Sequence, residues 1–131
     1  MKNIFVCVGT HTQQFDRLLK KIDEIAKDSK DSFFGQIGNS NYKPKNFECK
    51  KFLDEKEFDE KIRQSDFIIG HAGAGLILSA FSLKKKVIIV PRLKEFGEHT
   101  DSHQLDLANA LGKKKKVLAV FDISKLVSAI E

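Results

Sequence analysis

The sequence predicts an α/β sandwich built on a mostly parallel sheet with helices on both faces. Three observations carry that prediction. Short apolar runs recur along the chain, at Ile4 to Val8, Asp66 to Gly70 and Val87 to Val90, as in strands buried on both faces. Segments with apolar residues at helical spacing lie between those runs. The 131 residues leave room for one core of ordinary size and no second one.

Ile4 to Val8 reads as a parallel strand entering a tight turn at Gly9-Thr10. Phe15, Leu18, Leu19, Ile22, Ile25 and Ala26 then mark one face of a helix, with polar residues between them. Ser32 to Gly38 and Phe47 to Phe52 are weaker strands, separated by the turn at Asn39-Ser40-Asn41 and by Pro44. Asp54 is placed to cap a helix whose third residue is Glu57, with Phe58 and Ile62 facing inward. After the strand ending at Gly70 comes His71-Ala72-Gly73-Ala74-Gly75, then an apolar helix over about Leu76 to Leu83. Val87 to Val90 is the next strand, stopped by Pro91. A polar loop leads to a helix near Ser102 to Leu111, with Gly112 as its C′ residue. Val117 to Phe121 is the last strand, and Asp122 caps a closing helix that carries Ile123, Leu126, Val127 and Ile130. The crossovers between parallel strands are expected to be right-handed.

Composition narrows the function classes. Hydrophobic residues at 41% and charged residues at 31% are the balance of a globular protein rather than a disordered one. The longest apolar runs fall far short of the roughly 20 residues a membrane-spanning helix needs. The N-terminus has neither the length nor the cleavage site of a signal peptide, so the expected location is cytoplasmic. Cys7 and Cys49 lack metal or redox spacing, and Cys7 reads as a small core residue. His99 and His103 are four apart without a third ligand. No metal and no cofactor are expected.

Net charge is +5, much of it in Lys84-Lys85-Lys86 and Lys113 to Lys116. That excess suits a polyanion, a phosphate-bearing ligand or an anionic membrane surface. Both runs precede strands and so belong at the amino edge of the sheet, as a solvated edge. Aromatic residues fall in apolar patterns and form no stacking platform, so nucleic acid is not an expected partner.

In a parallel sheet, ligands bind outside the carboxyl ends of the strands, and three turns there hold the unusual residues. They are Gly9-Thr10-His11-Thr12-Gln13, then His71 to Gly75, then the stretch from Pro91 through Arg92 to His103-Gln104. The glycine turn opens a helix, whose unpaired N–H groups and positive dipole end favour an anion. Gly73 and Gly75 leave room for a phosphate to approach the backbone, although the spacing matches neither a dinucleotide fingerprint nor a P-loop. The third turn is long for a compact domain, a frequent mark of function. Its Arg92, Glu98, His99, Asp101, His103 and Gln104 offer donors and acceptors to a polar ligand.

The Val8-Gly9-Thr10 start, the stretch Ser65 to Gly75, and Val90-Pro91-Arg92 with Gly97 to Leu105 resemble family 28 glycosyltransferases. The resemblance spans essentially the whole chain and is nearest to their small stand-alone C-terminal halves. Those include the catalytic subunit of the eukaryotic enzyme that adds the second N-acetylglucosamine to a dolichol-linked sugar, and paired bacterial exopolysaccharide and capsule subunits. The resemblance implies a Rossmann-like domain over residues 1–131, equivalent to the C-terminal half of a GT-B enzyme. A UDP-sugar donor would lie across the carboxyl edge. A membrane-anchored partner subunit would supply the acceptor half for a lipid-linked glycan, holding this chain peripherally at the inner membrane face.

By motif, Gly9, Thr10 and His11 would line the diphosphate side of the cleft. His71, Gly73, Ala74 and Gly75 would form the turn beneath the nucleotide, and His103 and Gln104 would meet the donor sugar or its phosphates. Ser79 stands where the family commonly carries an acidic residue that binds ribose hydroxyls, which removes a charge-assisted acceptor. An inverting transfer also needs a base for the acceptor hydroxyl and N–H or cationic groups for the departing diphosphate. The helix start, the histidines and Arg92 are expected in the second role, and no residue of the chain is assigned to the first. The alternative class is a non-catalytic, nucleotide-binding regulatory subunit.

Overall fold

The computed structural model describes residues 1–9, 13–71, 74–93 and 117–130. In chain order the described elements are β1 (Asn3–Cys7), α1 (Asp16–Asp28), β2 (Ser32–Gln36), β3 (Glu48–Lys50), α2 (Glu55–Gln64) and β4 (Phe67–Gly70). They continue with α3 (Ala74–Ser82), β5 (Lys86–Ile89), β6 (Val117–Ala119), a 3₁₀ turn (Ile123–Lys125) and α4 (Leu126–Ile130). The helix expected near Ser102 to Leu111 and the lysines at 113–116 lie outside the described residues.

The strands form one sheet in the order β3-β2-β1-β4-β5-β6, and every neighbouring pair is parallel. This is the strand order of a doubly wound, Rossmann-like sheet, which reverses direction between β1 and β4. Alternation along each strand divides the core between two faces. Ile4, Val6, Val8, Phe67, Ile69, Ile88 and Val90 pack against α1 and α4 through Leu18, Leu19, Ile22, Leu126 and Ile130. Phe5, Cys7, Ile68, Val87 and Ile89 pack against α2 and α3 through Ile62, Leu76, Ile77 and Ala80. From β1 to β2 the chain moves one way along the sheet over the first face; from β4 to β5 it moves the other way over the second. Reversing both direction and face keeps one crossover hand.

Capping fixes several boundaries. Asp54 accepts from the Glu57 amide at 2.7 Å, and Glu57 accepts from the Asp54 amide, closing the expected capping box of α2. At the other end of α2, Lys85 Nζ donates to the carbonyls of Arg63 and Ser65 at 3.0 and 2.7 Å. One lysine of the amino-edge run is therefore a helix cap, while Lys84 and Lys86 are exposed as expected. Asp122 accepts from Ser124 N at 3.0 Å, so the closing helix begins where expected, with a 3₁₀ turn first.

Lys84 follows α3 with φ of 57°, and the next amide, Lys85 N, reaches back to Ala80 O at 2.9 Å. The left-handed position that closes a helix in this way favours glycine. Lys84→Gly is expected to stabilise the protein by about 1 kcal/mol and raise Tm by about 3 °C. A fall in Tm by calorimetry would show that contacts of the lysine side chain outweigh its backbone cost.

Candidate functional site

Each strand continues one or two residues past its carboxyl end as a row of cross-strand hydrogen bonds. Val8 N donates to Gln36 O (3.1 Å), His71 N to Cys7 O (3.3 Å), Val90 N to Gly70 O (2.8 Å) and Val120 N to Ile89 O (2.8 Å). The register sets Cys7 beside Gly70 and Gly70 beside Ile89. Gly9, His71 and Arg92, one to three residues past those partners, therefore meet at one rim. Gly9 and His71 flank the gap between β1 and β4, where the strand order reverses and where ligands of such sheets bind.

Gly9 has φ of 79°, the left-handed region. A Cβ added there would come 2.5 Å from His71 Nε2, so the half-buried imidazole lies directly over the glycine. On the other side Gly38, with φ of 56°, approaches so closely that its own Cβ would sit 2.6 Å from Gly9 O. Gly9 is thus held between Gly38 and the His71 ring, with no room for a side chain. Gly38, expected as the last residue of the second strand, lies two residues beyond β2 and shapes the site.

Ala74 and Gly75 form the first turn of α3, whose N-terminus opens at the same rim. That turn carries no acidic side chain, so the positive end of the helix faces no carboxylate of its own. Gly70 lets α3 close down on the sheet: a Cβ there would fall 2.2 Å from Leu76 Cδ2 and 2.9 Å from Cys7 O. Ser79 lies further along α3 and is half-buried. Thr10, His11, Gly73, His103 and Gln104 lie outside the described residues.

Arg92 differs from the expectation that it offers donors to a ligand. Only 1% of it is exposed, and its guanidinium turns inward. Nη1 donates to Gln13 O (2.9 Å) and Gln14 O (3.1 Å), Nη2 donates to Val8 O, and the Phe15 ring lies 5.0 Å below. The planar fork satisfies carbonyls from both ends of the β1 turn, a task suited to arginine. Cys7 lies beneath the rim with its thiol donating to Gln36 Oε1 at 3.1 Å. Burial pushes that thiol up to about 12, so it is a neutral core group and not a nucleophile.

Away from the rim, a groove of about 760 Å³ lined by Lys2, Phe67, Lys86, Leu118 and Ala129, among others, opens at the amino edge. Among the described residues, none from the three strand-to-helix turns lines it. No described helix is long and apolar enough to cross a membrane.

Comparison with known proteins agrees with this geometry. Two curated relatives, the UDP-N-acetylglucosamine transferase subunit ALG13 of Mus musculus and of Homo sapiens, are 31% and 32% identical over 127 and 125 residues. Each alignment covers 87% of this chain, which spans only 10% of either relative's length. Among solved structures, the glycotransferase of kitacinnamycin superposes with a TM-score of 0.69 at 17% identity, covering 99% of this chain and 34% of its own. CalG4, the calicheamicin glycosyltransferase, gives 0.68 at 16% identity, covering 98% and 34%. At such identity these two show the fold alone: a Rossmann-like unit equal to about a third of a larger glycosyltransferase chain. The model of the glycosyltransferase family 28 C-terminal domain matches residues 3–131, and the chain belongs to that family.

Proposed function

We propose that the chain is the donor-binding, catalytic subunit of a two-component inverting glycosyltransferase. It would transfer a hexose or N-acetylhexosamine from a UDP-sugar to a lipid-linked glycan in polysaccharide biosynthesis. The observation that carries the reading is the meeting of Gly9 and His71 over the β1–β4 gap, beside the opening of α3. A diphosphate there would meet backbone N–H groups and a helix dipole of the right sign, which is what a departing UDP requires. Gly9, Thr10, His11, His71, Gly73, Ala74, Gly75, Ser79, His103 and Gln104 are the proposed donor contacts. Arg92 supports the β1 turn, which carries the first three of them. Ser79 takes the ribose hydroxyls as a neutral partner, weaker than a carboxylate.

In this reading a second, membrane-anchored subunit supplies the acceptor half, and through it the chain would sit at the inner membrane face. The purified chain is therefore expected to bind UDP-sugars yet to transfer little sugar until co-expressed with that partner. Robust transfer to a lipid acceptor by the chain alone would overturn the dependence. His71→Ala and Gly73→Val are each expected to weaken UDP-sugar binding about tenfold by calorimetry. Wild-type affinity in both variants would remove the cleft assignment.

A further inference from the structure

We infer that Arg92 is a positioning residue for the donor site: without touching the donor, it holds Val8 and Gln13-Gln14, the two ends of the β1 turn, in place. The inference deepens the nucleotide-sugar reading above and rests on it for its consequence in binding, though not for its structural content. The carbonyls of Val8, Gln13 and Gln14, to which Arg92 donates, bracket the turn on both sides. A side chain from the exit of β5 thus closes a turn that lies nearly 80 residues earlier, across the end of β4. Arg17 Nη2 adds a second tie from α1 to the same exit, donating to Pro91 O at 3.3 Å.

The opposite flank is fastened independently. Phe15 N donates to the buried Ser40 Oγ at 3.0 Å, and Asp16 accepts from the amides of Asn41 and Tyr42 at 2.8 and 3.0 Å. The start of α1 is therefore anchored to the β2 exit whatever happens at Arg92, while the pairing of Val8 with Gln13 and Gln14 runs through the guanidinium. A lysine in its place supplies a charge but not the planar fork that serves three carbonyls. Since small displacements of binding groups cost large factors in affinity, the effect should be read in the ligand.

The test compares Arg92→Met, the milder Arg92→Lys, and Ile62→Ala, a core truncation on the opposite face, with the wild-type chain. Amide hydrogen exchange over residues 8–15 and calorimetric titration with UDP and with UDP-N-acetylglucosamine are measured well below each variant's melting temperature. The expected result is faster exchange over 8–15 in Arg92→Met, with about tenfold weaker binding of both nucleotides. Arg92→Lys should fall between it and wild type, and Ile62→Ala should lower Tm while leaving affinity unchanged. Wild-type exchange over 8–15 in Arg92→Met overturns the inference, as does wild-type affinity despite faster exchange. Equal loss of affinity in Ile62→Ala also overturns it, since general destabilisation would then suffice. If Arg92→Met does not fold, Arg92→Lys decides on the same readings. If the wild-type chain binds neither nucleotide, the donor reading falls, and exchange alone decides whether Arg92 shapes the turn.

Discussion

Gly9→Ala is expected to leave a folded protein that has lost most of its affinity for a UDP-sugar. The glycine holds φ of 79°, where an L side chain costs about 1–2 kcal/mol, and that strain exists whatever the surroundings. The added Cβ would also stand 2.5 Å from Nε2 and 3.0 Å from Cε1 of His71. The backbone cannot retreat toward β2, because Gly38 already lies against Gly9 O. The cheapest response is for the imidazole to swing away, since the far end of a side chain moves more easily than a strand. Stability should fall by about 2 kcal/mol, the strain plus a modest packing loss. Donor affinity should fall by about tenfold or more as the ring leaves its place. A double-mutant cycle with His71→Ala separates the two contributions. In the His71→Ala background the alanine should cost stability but almost no further affinity. A full additional loss of affinity there would show that Gly9 acts through the phosphates or the backbone and not through the ring.

Much of this architecture was legible in the residues. Strands buried on both faces cannot alternate, so their apolar runs stand out, and β1, β4 and β5 lie within one residue of the predicted places. Asp54 with Glu57, and Asp122, announce helix starts because a cap is a local arrangement of adjacent residues. What stayed hidden depends on contacts between distant segments. Arg92 has the look of a ligand-binding residue in a polar loop, and nothing nearby in sequence reveals that its partners are carbonyls at 8, 13 and 14. Gly38 reads as the end of a weak strand until the fold places it against Gly9. Asp23 falls among the polar positions of an amphipathic helix, yet it is 3% exposed and organises a whole loop.

Asp23→Ala should be among the most destabilising changes a single polar residue of this chain can undergo. The connection from β2 to β3 has no helix, and β3 has only three residues, so neither can hold itself in place. Asp23 does it from α1. Its carboxylate accepts from Tyr42 OH, from the amides of Lys45 (3.1 Å) and Asn46 (2.8 Å), and from Asn46 Nδ2 (3.1 Å). Burial by itself would push this carboxyl up, but the hydrogen bonds from Tyr42, Asn46 and Lys45 outweigh it and hold it below the usual carboxylate range. Removing it strands several donors at once, at a cost of about 3 kcal/mol, or roughly 10 °C in Tm. Because the folded pKa is depressed, the stabilisation is fully present above the unfolded value of about 3.9 and is lost as pH falls through the folded one. The gap between wild type and Asp23→Asn, measured by denaturant unfolding, should be widest near neutral pH and shrink steadily below about pH 4. A gap independent of pH would mean that the aspartate acts by shape alone, since an amide matches its volume but cannot change charge.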